Sequence, residues 1–327
     1  MSYRLSLLDK SPVAAGRSAA EALRISLEAA RLADKLGYHR YWLAEHHAIP
    51  GLASAAPEIL ISHILAQTKR IRVGSAGILL QHYSAYKVAE LFSVLASLAP
   101  GRVDLGVGRS PGGLPRVTRA LQKELRPEAL ADLDRRIDDL AAWLRGPHEG
   151  AAIIPRPETA PQAFLLGGSA ATARKARDLG WGYVHAGHHD GNAEVTRAAL
   201  SLAREGGAVA PVLAVLAFAA PTRAEAEARL GDQRFLRLTF EDGHSVNLGS
   251  KESALDYAAQ YGPLDYSLTE RRPTILAGTA EDIHAGFDAL ARDFGIAEFV
   301  IDQPVAETSA RLASLHLIAG PALSAAA

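Results

Sequence analysis

Polar side chains recur in this sequence at the points where short apolar segments end. Glu45, His46 and His47 follow one such segment, and Arg109 with Ser110 follows another. In a parallel α/β fold the carboxyl ends of the strands meet at one face, so residues at these positions can converge on one ligand. The other polar residues at comparable positions are Ser75, His82, Ser169, Thr172, His185, His188 and His189.

The segment Gly167-Gly168-Ser169-Ala170-Ala171-Thr172 has the composition of a phosphate-binding turn. Glycines leave backbone N–H groups accessible, and the start of the following helix adds partial positive charge. Two hydroxyl groups stand three residues apart on its first turn. Ser169 could instead only cap the helix. Arg109, at the end of the preceding strand, favours the phosphate interpretation because a guanidinium can bind phosphate in a bidentate manner.

The adjacent histidines His46 and His47 permit three interpretations. A metal site is disfavoured, because adjacent residues at a strand end point to opposite sides and no H-E-x-x-H spacing is present. One histidine could be buried and hydrogen-bonded while the other is exposed to water. Alternatively, His46 is an acid/base group near the reacting centre. His185, His188 and His189 either line the same pocket or are ordinary loop residues, and we predict no metal ligand.

Alternating apolar and helical segments indicate the elements that position these residues. Strands are predicted at 3–8, 38–43, 71–76, 102–107, 163–166, 182–186, 212–218 and 297–301, with helical segments between nearly all of them. This pattern favours an α/β fold of the closed (β/α)8 TIM barrel type over an open sheet. No G-x-G-x-x-G follows the first strand, which argues against a Rossmann domain. We expect one domain over 1–327, with insertions at about 112–161 and 231–272 over the C-terminal face.

Composition excludes several other classes. Lys and Arg number 35 against 36 Asp and Glu, without a basic patch, so we expect no nucleic-acid partner. The absence of cysteine excludes disulfides, thiolate nucleophiles and cysteine-ligated metals. No apolar segment approaches the length of about 20 residues that a membrane span needs. We therefore expect no membrane contact, and a cytoplasmic location.

Three segments together, 37–47, 71–77 and 100–109, resemble the bacterial luciferase-like flavin monooxygenases. Residues 168–172 are similar to that family's phosphate-binding turn, and 278–282 to the start of its final helix. The resemblance covers most of the chain apart from about 114–161 and 231–272. It implies a barrel, a flavin mononucleotide (FMN) cofactor and a homodimer.

The resemblance also implies roles for individual residues. Arg109 would contact the flavin phosphate together with the Gly168 amide and the hydroxyls of Ser169 and Thr172. Ala76-Gly77 corresponds to a non-prolyl cis peptide beneath the flavin ring, and Gly108 to a position where luciferases carry a cysteine beside the ring. His46 corresponds to an acid/base histidine.

The implied activity uses reduced FMN and O2 to oxygenate a small organic substrate, with a separate flavin reductase as an expected partner. Three alternatives remain at this stage. The first is an oxidoreductase of the same fold that uses the deazaflavin F420. The second is a non-catalytic flavin-binding relative, and the third is an unrelated barrel hydrolase with a metal at His46 and His47.

Overall fold

Eight parallel strands close into a ring in the computed structural model. The structure describes residues 3–125, 132–205 and 209–324, and residues 321–324 are described by their backbone alone. The ring strands, in spatial order, are β1 (Arg4–Asp9), β2 (Arg40–Leu43), β3 (Arg72–Ser75), β5 (Val103–Gly108), β6 (Gln162–Gly167), β7 (Gly182–His185), β8 (Val212–Ala219) and β13 (Glu298–Asp302). Pairing of β13 with β1 and of β7 with β8 completes the ring. The predicted (β/α)8 barrel is therefore confirmed, as are all eight predicted strands.

Helices separate most of the strands along the chain. They are α1 (Ala19–Leu36), α2 (Pro57–Leu65), α3 (Ala85–Leu98), α4 (Pro115–Gln122), α5 (Leu133–Arg145), α6 (Ala170–Leu179), α7 (Ala193–Arg204), α8 (Arg223–Leu230), α9 (Lys251–Tyr261), α10 (Ala280–Phe294) and α11 (Thr308–Ser324). Local sequence sets several helix ends. Ser18 and Glu21 form the predicted capping box of α1, and Gly37 ends that helix with φ 82°, a value that favours glycine.

Apolar side chains from both faces of the strands fill the barrel and the layer beneath the helices. All eight residues of β8 are buried, as expected for a strand covered on both faces. Trp42 and Phe164 pack edge to face inside the barrel, with ring centroids 4.9 Å apart. The interior is therefore a packed core, and ligands must bind at one of its ends.

The segment 231–272 contains a small antiparallel sheet, in the order β10 (Ser245–Leu248), β9 (Phe235–Phe240) and β11 (Tyr266–Arg271). This sheet and α9 share a core that includes Phe240 and Tyr257, and Leu114 packs against that core. The Arg119 guanidinium donates to the Gln260 carbonyl at 3.1 Å, which joins α4 to α9. The two predicted insertions thus contact each other, and we call 231–272 with α4 the roof.

Two parts of the fold differ from the sequence interpretation or lie beyond it. No strand was predicted at β12 (Ile275–Gly278), which pairs in parallel with the second half of β8. Its four residues follow Pro273 and are mostly half-buried, so they carry little periodic signal. The predicted first insertion includes α5, which packs against α3 as a barrel helix. Within this insertion the sequence pattern predicts a helix over 127–144; α5 covers most of that range, and residues 126–131 lie outside the described residues.

Candidate active site

Strand register brings the predicted site residues to one end of the barrel. Leu43 pairs with Ser75, Val107 with Leu165, and Gly167 with His185. The segments that follow these paired residues carry His46, Gly77, Arg109 and Ser169. They therefore leave the same, C-terminal face of the ring, as the sequence predicts.

The floor of this face is backbone, at the junction between β3 and β5. The Ala76-Gly77 peptide bond is cis, as the family resemblance implies. The following residues form β4 (Ile78–Leu79), which pairs with β5. A Cβ at Gly77 would lie 2.4 Å from the Gly108 amide nitrogen, so only glycine fits there. At Gly108 a Cβ would lie 3.2 Å from the end of the Leu79 side chain, which can move, so that site has room for a small side chain.

Glu45 anchors this floor from below. One of its carboxylate oxygens accepts hydrogen bonds from His47 Nε2 at 2.7 Å and from the Tyr83 hydroxyl at 2.8 Å. The other accepts the Leu79 amide at 2.9 Å. Glu45 is buried, so these bonds hold the segment after the cis peptide in place. Sequence reasoning noted Glu45 but assigned it no role.

The two adjacent histidines have different environments. His47 is buried and hydrogen-bonded, as one of the sequence interpretations expects of one histidine, but His46 is half-buried rather than exposed to water. The His47 ring is held by Glu45, whereas the His46 ring makes no hydrogen bond to any described residue, and its Nδ1 is buried. Burial, with a smaller contribution from the charge of Lys10, lowers the pKa of His46 to about 4. His46 is therefore a neutral imidazole at neutral pH, and neither ring nitrogen has a hydrogen-bond partner among the described residues.

Four further residues accompany His46, and we call the five residues Lys10, His46, His188, His189 and Asp302 the rim cluster. Lys10 Nζ donates to Asp302 Oδ2 at 2.8 Å. The rings of His188 and His189 have centroids 4.0 Å apart. Burial lowers the pKa of His188 to about 3 and that of His189 well below its usual value, and the Lys10 charge adds to both effects.

Lys10 and Asp302 were missed at the sequence level, although the signal was present. Each stands at the end of an apolar strand, the same rule that identified the histidines. His185, by contrast, does not join the cluster through hydrogen bonds. Its ring is buried and bonded to the Tyr183 hydroxyl at 2.9 Å and to Thr196 Oγ1 at 3.1 Å, so its contacts are structural.

The predicted phosphate-binding turn has the geometry of a helix cap with an open approach. Ser169 Oγ accepts the Thr172 amide and lies 3.0 Å from Thr172 Oγ1. Gly168 is exposed, and a Cβ built there meets no atom within 4 Å. The N–H groups at the start of α6 therefore remain accessible to an anion.

Arg109 pairs with Asp134 at 2.5 Å and makes no hydrogen bond to Ser169 or Thr172. The two side chains of this pair are 35% and 55% exposed. Exposed ion pairs contribute about 0–1 kcal/mol, so Arg109 can exchange Asp134 for a phosphate at little cost. Arg109 and the Ser169 turn follow neighbouring strands of the ring.

Comparison with known proteins decides the family. The model of the luciferase-like monooxygenase family matches residues 3–298. The chain belongs to the luciferase-like monooxygenase family. This luciferase-like monooxygenase is 38% identical, over 98% of its length and 99% of the relative's, to a Bacillus subtilis protein named N-acetyl-S-alkylcysteine monooxygenase. It is 41% identical to an Escherichia coli luciferase-like monooxygenase, over 56% of its own length and 55% of that protein's.

Solved structures agree with this assignment. The crystal structure of apo-MsnO8 superposes with a TM-score of 0.77 at 33% identity, and covers 97% of each chain. The oxygenating constituent of 3,6-diketocamphane monooxygenase from Pseudomonas putida, solved with FMN, has a TM-score of 0.69 over 98% of each chain. Its 18% identity shows the fold alone. The family and its named relatives make this chain a flavin-dependent monooxygenase by class.

The described residues contain neither a candidate membrane-spanning helix nor a candidate metal-binding cluster. Among residues 3–125, 132–205 and 209–324, no helix combines the length and hydrophobicity that a bilayer crossing requires. Within the same ranges no group of three His, Cys, Asp or Glu residues is placed to hold a metal ion.

Proposed function

We propose that this luciferase-like monooxygenase uses reduced FMN and O2 to oxygenate a small organic substrate at the C-terminal face of its barrel. The observation that carries the proposal is the backbone floor of Ala76, Gly77 and Gly108, two strands from an open helix start. A planar ring can lie against a floor without side chains, while a phosphate binds at Gly168, Ser169 and Thr172.

The residues present fit FMN at both ends. The space above Gly168, the two hydroxyls of Ser169 and Thr172, and the exchangeable Arg109 suit a dianionic phosphate. At the other end, the half-buried Gly108 leaves room beside the ring. When bound, reduced FMN supplies the electrons and the site at which O2 is activated. In that chemistry one oxygen atom of O2 would enter the substrate and the other would leave as water.

The chain itself binds, shields and moves protons. The roof, which meets the barrel where the Gly191 amide donates to the Arg272 carbonyl at 2.8 Å, restricts access of water to the face. His46 is the acid/base group, because its neutral imidazole has both nitrogens unpaired among the described residues. Glu45 acts through the floor as a positioning residue.

The name of one relative, the Bacillus subtilis N-acetyl-S-alkylcysteine monooxygenase, indicates a class of substrate. Because that relative matches nearly the whole chain at 38% identity, we take N-acetyl-S-alkylcysteines as the first class of substrate to test. The alternative cofactor F420 occurs in a structural neighbour, a secondary alcohol dehydrogenase, at 13% identity, which supports the fold alone. FMN is the first choice because the relative at 38% identity is named a monooxygenase, and an F420-dependent oxidoreductase would need no O2.

A second copy of this chain is the proposed protein partner. The helices α2 and α3 expose Ile59, Val94 and Leu98, and Ile59 and Leu98 are 67% and 72% exposed. Exposed apolar side chains on two neighbouring helices favour association with an equivalent surface. A separate flavin reductase and a cytoplasmic location remain predictions.

The test begins with binding. The purified protein is titrated with FMN, riboflavin and F420. We expect FMN to bind most tightly, because among the three only FMN has a short ribityl chain that ends in a phosphate. Photoreduced FMN, isotopically labelled O2 and N-acetyl-S-ethylcysteine are then combined, and mass spectrometry follows incorporation of one labelled oxygen atom into product. Preference for F420, or binding of FMN without oxygen incorporation into any N-acetyl-S-alkylcysteine, would contradict the corresponding part of the proposal.

A further inference from the structure

The Lys10–Asp302 ion pair stands at the active-site face without an assigned purpose. Lys10 follows β1, Asp302 ends the adjacent β13, and their register places Asp302 beside Leu8. The two charged groups meet at 2.8 Å. An ion pair at this end of the barrel is not needed to close the ring, because backbone pairing of β1 with β13 does so.

The charge that this pair presents to a ligand is positive. The side chain of Asp302 is 1% exposed, whereas that of Lys10 is 26% exposed. An ammonium group has three N–H donors, and Lys10 uses one of them, on Asp302, among the described residues. The remaining donors can therefore bind an anionic acceptor that enters from the mouth of the barrel.

The surroundings of Lys10 suit a single negative charge on an otherwise uncharged ligand. The neighbouring His46, His188 and His189 are neutral at neutral pH, because burial lowers their pKa values. The ring of His189 also contacts Phe235 of the roof, with centroids 5.1 Å apart. Neutral imidazoles and an aromatic ring can surround the uncharged part of a ligand whose carboxylate lies on Lys10.

Strand order separates this cation from the phosphate-binding turn. In the ring β1, β2, β3, β5, β6, β7, β8, β13, the turn after β6 lies diametrically opposite β1. The proposed flavin phosphate and a second anion at Lys10 would thus occupy opposite sides of the mouth. His46, after β2, lies next to the Lys10 side.

We propose that Lys10, oriented by Asp302, is a carboxylate-binding subsite that selects small organic acids as substrates and directs their reacting group toward His46. This inference rests on the proposed monooxygenase function, which it deepens by assigning a residue to substrate selection. Asp302 is a positioning residue in this arrangement, since its carboxylate is buried and cannot contact the ligand directly.

The test compares two probes that differ in one charge, N-acetyl-S-ethylcysteine and its primary carboxamide. Their Kd values are measured by calorimetry on the protein with oxidised FMN and, in parallel, without cofactor. We expect the native protein to bind the acid about 10-fold or more tightly than the amide, the usual effect of a hydrogen bond to a charged group. Lys10→Met should bring the two Kd values within about twofold, and Lys10→Arg should keep most of the preference.

Asp302→Asn separates a ligand-binding role from a merely structural one. It removes the negative charge beside Lys10, so we expect it to retain or increase the preference for the acid. If the pair were only structural, Lys10→Met and Asp302→Asn would impair both probes alike. The double variant Lys10→Met/Asp302→Asn leaves no unpaired charge, so it replaces Lys10→Met in the binding comparison if Lys10→Met alone does not fold. Lys69→Met, at an exposed lysine before β3, is the matched control and should behave as the native protein does.

Three results would overturn the subsite. They are equal affinity of the native protein for acid and amide, failure of both probes to bind, and a loss of FMN affinity in Lys10→Met with an unchanged ratio. These results are distinguishable from failure of the proposed function. Oxygen incorporation with equal probe affinities removes only the subsite, whereas a preserved preference without FMN binding removes only the cofactor assignment.

Discussion

Both ends of the barrel bury polar and charged side chains, but the two ends differ in how many of these groups have hydrogen-bond partners. At the N-terminal end, Asp104 accepts hydrogen bonds on both oxygens, from Arg72 on one and from Arg40 and Trp42 on the other. At the C-terminal end, His46 Nδ1, His188 Nδ1 and Asp302 Oδ1 are buried without a partner among the described residues, whereas His39 Nε2 is such an atom at the N-terminal end. Unsatisfied buried polar atoms are costly, so their concentration at one end indicates a ligand site.

The N-terminal end also contains a cavity. A cavity of about 230 Å³ lies beside Arg4, Arg40, Arg72 and Glu298 at the N-terminal end. Its charged residues bind one another, as Arg40 Nε does with Glu298 at 2.7 Å. The N-terminal end of a TIM barrel contributes to stability, whereas catalysis takes place at the C-terminal end.

The largest effect should come from breaking the network at the N-terminal end. Asp104→Ala leaves Arg40 buried with one carboxylate fewer and Arg72 without its ion-pair partner. We expect the free energy of unfolding to fall by about 3–5 kcal/mol, the usual cost of removing one partner of a buried pair. Denaturant unfolding measures this change. A loss below about 1 kcal/mol would contradict the structural role of this end.

The next effect concerns His46 and is expected in turnover rather than stability. His46→Gln removes the acid/base group, so kcat should fall about 100-fold or more. Stability should change little, because the His46 side chain has no hydrogen-bond partner among the described residues. FMN affinity should stay within about twofold. His185→Gln is the matched control, because His185 is bonded to Tyr183 and Thr196, and it should lower stability while turnover changes little. Equal turnover in His46→Gln and the native protein would remove the assigned role.

His188 of the rim cluster should also make the free energy of unfolding depend on pH. Burial lowers the pKa of His188 to about 3, below its ordinary value in the unfolded chain. The unfolded state therefore binds more protons between pH 6.5 and pH 3, and the stability that neutral His188 contributes is lost as pH falls through that window. Between pH 8 and pH 5 the unfolding free energy should fall by about 2 kcal/mol more in the native protein than in His188→Gln. Parallel pH curves for the two proteins would show that His188 is not buried as a neutral group.

The smallest expected effect is at the phosphate-binding turn. Arg109→Ala should weaken FMN binding about 10-fold, because one charged contact to the phosphate is lost, and should leave riboflavin binding unchanged. Asp134→Asn frees Arg109 from its exposed ion pair and should tighten FMN binding slightly. Titration of flavin fluorescence compares all four combinations. If both variants changed FMN and riboflavin affinity equally, Arg109 would not be a phosphate ligand.

Some site residues at the C-terminal end could not be identified from the sequence, because their environment depends on distant segments. His46 and His47 are adjacent and identical in type, yet one is fixed by Glu45 and the other has no partner among the described residues. Period-2 geometry predicts that they differ but not which of them faces the mouth. Lys10 and Asp302 are separated by almost the whole chain, and only closure of the ring brings them within 2.8 Å.

The sequence by itself determined the eight-stranded barrel, the capped helices and the turn at Gly168, because local patterning and short motifs specify these features. The position of the cis peptide at Ala76-Gly77 followed from the family resemblance. Tertiary structure alone decided that Arg109 pairs with Asp134, that His185 is structural, and that 231–272 forms a sheet in contact with α4. The physical reason is that a side chain's partners come from segments distant in sequence. Burial, unpaired atoms and the pKa of a histidine depend on those partners rather than on neighbours along the chain.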